Sequence, residues 1–214
     1  MSLPEPFGTI ERALAAVSGW RLDRRLRRAL ARAPHLNVVD LTEDVLARIR
    51  GHVKPLDGHV LEAPLSARPC VYWALELART GEVGMHEVLA TEQSAIPFLL
   101  QDAGHRAAID PAFAEIAAVY DYECASIGAY DADLRQRAVL GRHMLSHHAG
   151  IPGQQLRYRE SVIAVDQAIT VLGRGIAEPD PAATAAGYRD AGMRIRLAGS
   201  RALPLMISDD PRSW

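Results

Sequence analysis

The sequence is poor in cysteine, in aromatic residues and in lysine. Its 214 residues include two cysteines, Cys70 and Cys124, which are too few for a disulfide framework or a zinc module built from several cysteines. Aromatic residues make up 6% of the chain, so stacking platforms for nucleic-acid bases are scarce. Lys54 is the one lysine, and the formal net charge is −2. We therefore expect no nucleic acid among the partners.

Long apolar runs and targeting signals are also missing. No stretch approaches the roughly 18 uninterrupted apolar residues of a transmembrane helix. The first residues do not combine a basic region with an apolar run, so no secretory signal is expected and the predicted compartment is the cytoplasm. The chain is 49% hydrophobic, and at this length it can bury a core without disulfides or metal.

Arginine is concentrated near the start of the chain. Residues 1–35 hold seven arginines against three acidic residues, a surplus of +4, so the remainder carries −6. Apolar residues recur there at helical spacing in two stripes separated at Ser18-Gly19, which predicts an arm (residues 1–41) of two short helices ending at Pro34.

Two interpretations of this arm remain open. In the first, it is a helical hairpin packed on its own domain, with the arginines facing water. In the second, it is a basic amphipathic helix on an anionic membrane surface, with Trp20 at the interface. The membrane-facing residues would then be Trp20, Arg21, Arg24, Arg25 and Arg28.

From Leu41 onward, apolar residues alternate with polar ones at a period of two, as in half-buried strands. This pattern predicts an α+β fold for residues 42–208. We expect a curved antiparallel sheet or barrel-like core of six to nine strands with peripheral helices, followed by a tail at 209–214. Helices are predicted at 112–119 and from Leu134 to about His147, the second capped by Asp131 or Asp133. The predicted core comprises Val71, Trp73, Leu75, Phe98, Leu100, Ile169, Val171 and Ile195.

One segment carries a family resemblance. The run Ala63-Pro-Leu-Ser-Ala-Arg-Pro-Cys-Val-Tyr-Trp73 is similar to the signature of the GIDE domain, also called BAM for "beside a membrane". Four further blocks follow the family's order, at 50–53, 97–104, 158–173 and 204–208. Val165-Asp166 departs from the pattern, since the family favours Gly-Asp there. The positions that resemble the family are Pro64, Leu65, Ser66, Pro69, Cys70, Val71, Tyr72, Phe98, Asp102, Gly104, Glu160 and Gly173.

The resemblance implies a domain held beside a membrane, found in mitochondrial RING ubiquitin ligases and in bacterial homologues. In those ligases, ubiquitin transfer belongs to a RING with eight Cys/His ligands for two zinc ions, which the two cysteines here cannot supply. We therefore expect a non-catalytic module without cofactors that binds a protein or peptide partner. The membrane surface is one place where it would do so, through peripheral contact.

An enzyme is the alternative. His143 and His147 lie four residues apart at a predicted helix end, a spacing that can hold zinc, but we prefer the interpretation that they are solvent-facing histidines favoured by the helix dipole. Met144 replaces the glutamate of a metalloprotease motif. Cys70 would be nucleophilic only beside a cation, and Arg68 is the local candidate. Arg157, Arg159 and Glu160 are predicted to be a solvated polar set on one strand face.

Overall fold

The computed structural model describes residues 25, 26, 28–80, 86–146, 155–181 and 192–211. Within these ranges the chain forms twelve strands in two sheets, two α-helical segments and two 3₁₀ turns. Helix α1 is described at residues 25, 26 and 28–32, and α2 spans Leu134–Arg142. The turns are η1 (Val38–Asp40) and η2 (Pro111–Phe113). The strands are β1 (Leu46–Pro55), β2 (Leu61–Glu62), β3 (Pro69–Thr80), β4 (His86–Ala95), β5 (Phe98–Asp102), β6 (His105–Asp110), β7 (Ala114–Ala117), β8 (Tyr120–Ser126), β9 (Gln155–Ala164), β10 (Ala168–Pro179), β11 (Met193–Ala198) and β12 (Leu205–Ser208).

Five strands close into a barrel. The ring runs β1-β5-β6-β11-β10 and returns to β1, and its pairs are antiparallel except for the parallel pair β6–β11. This strand order is that of the OB barrel, a five-stranded Greek-key architecture that serves many unrelated functions. The barrel is filled by alternating apolar residues of these strands, and η1 adds Val38 to the core. The other barrel residues of that core include Ala47, Ile49, Val53, Phe98, Leu100, Ala107, Ile109, Ile169, Val171 and Leu197.

Strands β12 and β7 extend the barrel sheet beyond β10, and α1 covers them. Leu26 and Leu30 are fully buried and pack with Leu172 of β10. The described part of the arm therefore directs its apolar stripe onto the barrel, while Arg28 and Arg32 remain exposed. Among the described helices, none is long and apolar enough to cross a bilayer.

The second sheet consists of β2, β3, β4, β8 and β9. It is built from two insertions in the barrel sequence, because β2–β4 lie between β1 and β5, and β8 and β9 lie between β6 and β10. Where it meets the barrel, Tyr72 and Ile163 enter the barrel core. Its other face forms a smaller core with α2, to which Leu75, Leu77 and Tyr158 contribute.

Helix α2 begins in a capping box. The Asp133 side chain accepts a hydrogen bond from Gln136 N (2.8 Å), and the Gln136 side chain accepts one from Asp133 N (2.9 Å). Val139 and Leu140 then bury the helix on the second sheet. The helix ends at Arg142, and Met144 has a left-handed backbone (φ 57°) that cannot continue it. The predicted cap at Asp133 is confirmed, but the predicted end near His147 is wrong.

The predicted fold class is confirmed, since the structure is β-rich and mainly antiparallel with few helices. The predicted strand number is too low, and the predicted helix at 112–119 is wrong. Asp110 caps only one 3₁₀ turn there, after which Ala114–Ala117 pairs with β12 in parallel, so sheet pairing outweighs the helix propensity of alanine. Strand β8 lies between the two predicted helices and was not predicted. Trp73 and Ile195 are half-buried, whereas the other predicted core residues are buried.

Gly51 lies at a close approach of β1 to β5. A Cβ at this position would stand 2.5 Å from the carbonyl oxygen of Gln101, a main-chain atom that cannot move without disturbing the barrel. We expect Gly51→Ala to lower the free energy of unfolding by about 1–3 kcal/mol or more, as overpacked sites do. Gly141→Ala, where nothing lies within 4 Å of the added Cβ, should instead be neutral or raise stability by up to about 1 kcal/mol. Urea unfolding of both variants measures the change in the free energy of unfolding. Equal changes in the two variants would contradict the prediction that Gly51 is required by the close approach of β5.

Candidate functional site

The segment 64–68 forms the loop between β2 and β3. Ala63 N donates to Arg68 O (3.0 Å) and Ala67 N donates to Ala63 O (3.0 Å), so the main chain closes on itself. Ala67 takes a left-handed backbone (φ 60°), which an alanine adopts only at a cost. This tight loop presents its amide groups of residues 65 and 66 toward β9.

The carboxylate of Glu160 receives these amides. Leu65 N donates to Oε1 (2.7 Å) and Ser66 N donates to Oε2 (3.0 Å), and the Glu160 side chain has no solvent exposure. A buried carboxylate is tolerated when donors of this kind satisfy its oxygens. Glu160 therefore binds β9 to the loop, and the prediction that it is a solvated partner of Arg157 and Arg159 is wrong.

Arg68 extends the same connection to β8. Its guanidinium donates to both carboxylate oxygens of Asp121 (2.5 and 2.6 Å), and its Nε donates to Ser66 Oγ (3.1 Å). The hydrogen bonds to Asp121 raise the pKa of Arg68. Arg68 is thus engaged in a bidentate ion pair, so it anchors the loop to the sheet edge.

Cys70 is fully buried at the start of β3. Its thiol lies 3.7 Å from the carbonyl oxygen of Leu61, and burial, assisted by the charge of Glu160, raises its pKa to about 12. Arg68 opposes this shift only as a smaller influence. The thiol is therefore protonated at neutral pH, and the structure gives no support to a thiolate nucleophile at Cys70. Burial also raises the pKa of Cys124.

His143 follows α2 and lies near one acidic residue. Its Nε2 is 3.7 Å from Glu92 Oε1, and Arg142 donates to the same oxygen at 2.5 Å. His147 lies outside the described residues. Within the part of the chain that the structure describes, no group of three His, Cys, Asp or Glu side chains is placed to hold a metal ion.

The remaining positions that resemble the family lie at several places in the molecule. Phe98 is a barrel-core residue, and Gly104 (φ 88°) forms the β5–β6 turn that Asp102 precedes. At Gly173 a Cβ would lie 2.3 Å from Leu205, so glycine lets β12 approach β10. Pro64, Leu65, Ser66, Pro69, Cys70, Val71, Tyr72 and Glu160 gather around the start of the second sheet. These positions thus build the framework and do not converge on one reactive centre.

The Val165-Asp166 turn, where the chain departs from the expected Gly-Asp, connects β9 to β10. Asp166 takes the left-handed conformation (φ 66°) that favours glycine or a short polar residue, and its side chain forms an ion pair with Lys54.

A shallow cleft of about 220 Å³ lies beside Lys54. It is lined also by His52, Gln101, Ala103 and Gly104.

The second sheet carries a charged surface where it projects beyond the barrel. Glu76, Arg159 and Glu123 are direct neighbours across β3, β9 and β8. Arg157 donates to both oxygens of Glu123 (2.5 and 2.8 Å), and the Arg159 guanidinium lies 5.0 Å from the centroid of the Tyr120 ring. Arg159 is also 3.6 Å from Glu76 and 3.7 Å from Glu123. We call these five residues, Glu76, Tyr120, Glu123, Arg157 and Arg159, the open face.

Sequence reasoning identified the two arginines of the open face but not their partners. Glu76 and Glu123 sit on strands other than β9, and β8 was not predicted at all. The available signal was the recurrence of charge at a period of two, acidic on β8 (Asp121 and Glu123) and basic on β9 (Arg157 and Arg159).

The sequence model of a family described as "GIDE: E3 Ubiquitin ligase" matches residues 76–182, half of the chain. The chain belongs to the GIDE family. The matched segment contains the β5–β6 hairpin, Glu160 and Gly173, while the loop at 64–68 precedes it. No curated protein and no solved structure matches the GIDE chain significantly.

The Glu160 contact gives a direct test of this framework. Glu160→Gln leaves at least one buried amide without an acceptor, because an amide side chain offers one oxygen where the carboxylate offers two. We expect a loss of about 1–3 kcal/mol in the free energy of unfolding, measured by urea titration. Glu62→Gln on neighbouring β2, where the glutamate side chain is 66% exposed, should cost less than about 1 kcal/mol. Equal losses would show that Glu160 does not anchor the loop.

Proposed function

We propose that this GIDE-family chain is a non-catalytic recognition module that binds a protein partner through its second sheet. The observation that carries the proposal is the arrangement of the open face. One face of this sheet is apolar where Tyr72 and Ile163 meet the barrel and charged where the sheet projects past it.

The charges of the open face are ordered and of both signs. Glu123 is held by Arg157, and Arg159 lies between Glu76, Glu123 and Tyr120, so few rotamers remain to be fixed on binding. Arginine and tyrosine are enriched at protein interfaces. A surface of both signs suits another protein better than a polyanion, whose binding needs a positive field.

Ubiquitin transfer is not part of the proposed activity. The family is described as E3 ubiquitin ligase, and we propose that these 214 residues contribute partner recognition to that process. The protonated thiol of Cys70 and its packing as a buried side chain support this assignment.

Site-specific photocrosslinking tests partner binding. A benzophenone amino acid replacing Glu123 on the open face should, on irradiation, form a discrete covalent adduct with one protein in cells of the source organism. The same replacement at His52, exposed on the barrel surface, is the matched control and should not give it. No adduct at position 123, or equal adducts at both positions, would refute the proposal.

Peripheral membrane contact is a second part of the proposal, supported by the arginines of the arm. Leu26 and Leu30 are committed to the barrel, so any contact by α1 is electrostatic and uses the exposed Arg28 and Arg32. Arg25 is 3.5 Å from Glu115 and contributes less. Residues 20, 21 and 24 of the predicted membrane-facing set lie outside the described residues.

We expect full-length chain to co-sediment weakly with anionic liposomes at low salt and to dissociate near 0.15 M salt, since screening weakens such contacts. Each arginine near the surface contributes about 1 kcal/mol, so the double variant Arg28→Ala, Arg32→Ala should bind about tenfold or more weakly. The double variant Arg106→Ala, Arg137→Ala removes the same charge from other exposed sites and should bind like the parent chain. Full retention in the supernatant at low salt would refute the membrane contact.

A further inference from the structure

Strand β4 (His86–Ala95) is paired on one side only. Its ten residues run antiparallel to β3 from Tyr72↔Ala95 to Thr80↔His86. Along its other side, none of the residues that the structure describes forms a main-chain pair with it. A typical strand has about five or six residues, so this is a long free edge.

The hydrogen-bonding direction of β4 follows from its register. Ile96 N donates to Val71 O (3.0 Å), and pairs alternate between bonded and non-bonded along an antiparallel ladder. Thr91 and Gln93 therefore direct their main-chain N–H and C=O groups away from β3, toward the free side.

A bulge divides the strand. The register shifts between Leu77 and Ala78 of β3, where Leu89 is the extra residue on β4. The segment from Ala90 to Ala95 is thus the uninterrupted part, six residues with small or polar side chains and no proline. Proteins usually protect such edges with proline, lysine or a covering element.

The end of α2 lies beside this segment. Arg142 donates to Glu92 Oε1 (2.5 Å) and Oε2 (3.2 Å), and His143 approaches the same carboxylate. The one charge of the segment is therefore neutralised, and the C-terminal end of the helix flanks one face of the edge.

We propose that the free edge of β4 at residues 90–95 is a strand-addition site for an extended segment of a partner protein. Unsatisfied main-chain groups along a strand are matched by another extended polypeptide, which pairs with Thr91 and Gln93. Because the edge is neutral and its side chains are small or polar, the added segment is uncharged and made of small or β-branched residues. This inference rests on the proposed function and assigns part of the partner's contact.

A second copy of the chain fits the edge less well. A two-fold axis at the centre of the uninterrupted segment pairs the outward Thr91 of one copy with Gln93 of the other, which places the two copies of Glu92 directly opposite each other. Each copy's bulge at Leu89 then ends the pairing after about five residues. A single short ladder of this kind suits a peptide segment better than a stable dimer.

The test uses full-length chain and a displayed library of random linear peptides of about twelve residues. Peptides are selected on the parent chain. Their affinities for the parent chain, for Thr91→Pro and for Thr91→Ala are then measured by fluorescence anisotropy. Proline removes the outward N–H and blocks pairing on the free side, while leaving the bonds to β3 in place. We expect about tenfold or greater weakening for Thr91→Pro and no more than about twofold for Thr91→Ala, which keeps the N–H.

If Thr91→Pro does not fold, amide hydrogen exchange of the parent chain, with and without bound peptide, provides the test instead. In the parent chain, bound peptide should slow exchange of the Thr91 and Gln93 amides, and it should leave Glu123 on the β8 edge unchanged. Failure to select any peptide, affinity unaffected by Thr91→Pro, or protection confined to β8 or the barrel would overturn the inference. A concentration-dependent dimer that Thr91→Pro abolishes would assign the edge to a second copy and also overturn it.

These outcomes are separate from those of the photocrosslinking experiment. An adduct at position 123 together with peptides insensitive to Thr91→Pro would leave partner recognition standing and remove only the strand-addition site. Loss of both results would remove the proposed function as well.

Discussion

Strand β1 pairs with β10 over Leu46–His52 and with β5 over His52–Pro55, and this double pairing closes the barrel. A strand that closes a small barrel has to curl between its two neighbours, and here the main chain of β5 also approaches β1 closely. Gly51 meets that requirement next to Gln101, where any side chain would collide with main chain. This closure encloses the barrel core. It also fixes β10, on which β12 pairs and against whose Leu172 the helix α1 packs.

The second sheet depends on the barrel at one end and on polar anchoring at the other. Tyr72 and Ile163 place it in the barrel core, whereas Glu160 and Arg68 bind the loop at 64–68 to β9 and β8. The result is a sheet held rigidly at its base, with an ordered charged face and a free edge beyond it. Rigid elements that present polar groups in fixed positions are what a recognition surface requires.

Local patterns were sufficient to predict much of this fold. Alternation at a period of two located β1, β3 and the β5–β6 hairpin, and the Asp133 cap located α2. The alanines within 112–118 led to the wrong prediction of a helix, because helix propensity is a local preference. The pairing of β7 with β12, which decides the structure there, joins segments about ninety residues apart in sequence. The role of Glu160 was equally hidden, since a glutamate flanked by arginines on a strand resembles a solvated pair. Its partners are amides of a distant loop, which leave no mark on the neighbouring sequence.

The order of strands in the barrel also determines what can fold by itself. The segment 76–182 that matches the family holds β5, β6 and β10, but β1 and β11, their neighbours in the ring, lie outside it. Because the ring cannot close without β1, an excised fragment of those residues would expose both edges of β10 and half of the barrel core to water. The matched segment is therefore shorter than the set of strands that pair in the barrel sheet, which runs from β1 (Leu46–Pro55) to β12 (Leu205–Ser208) in the described part of the chain.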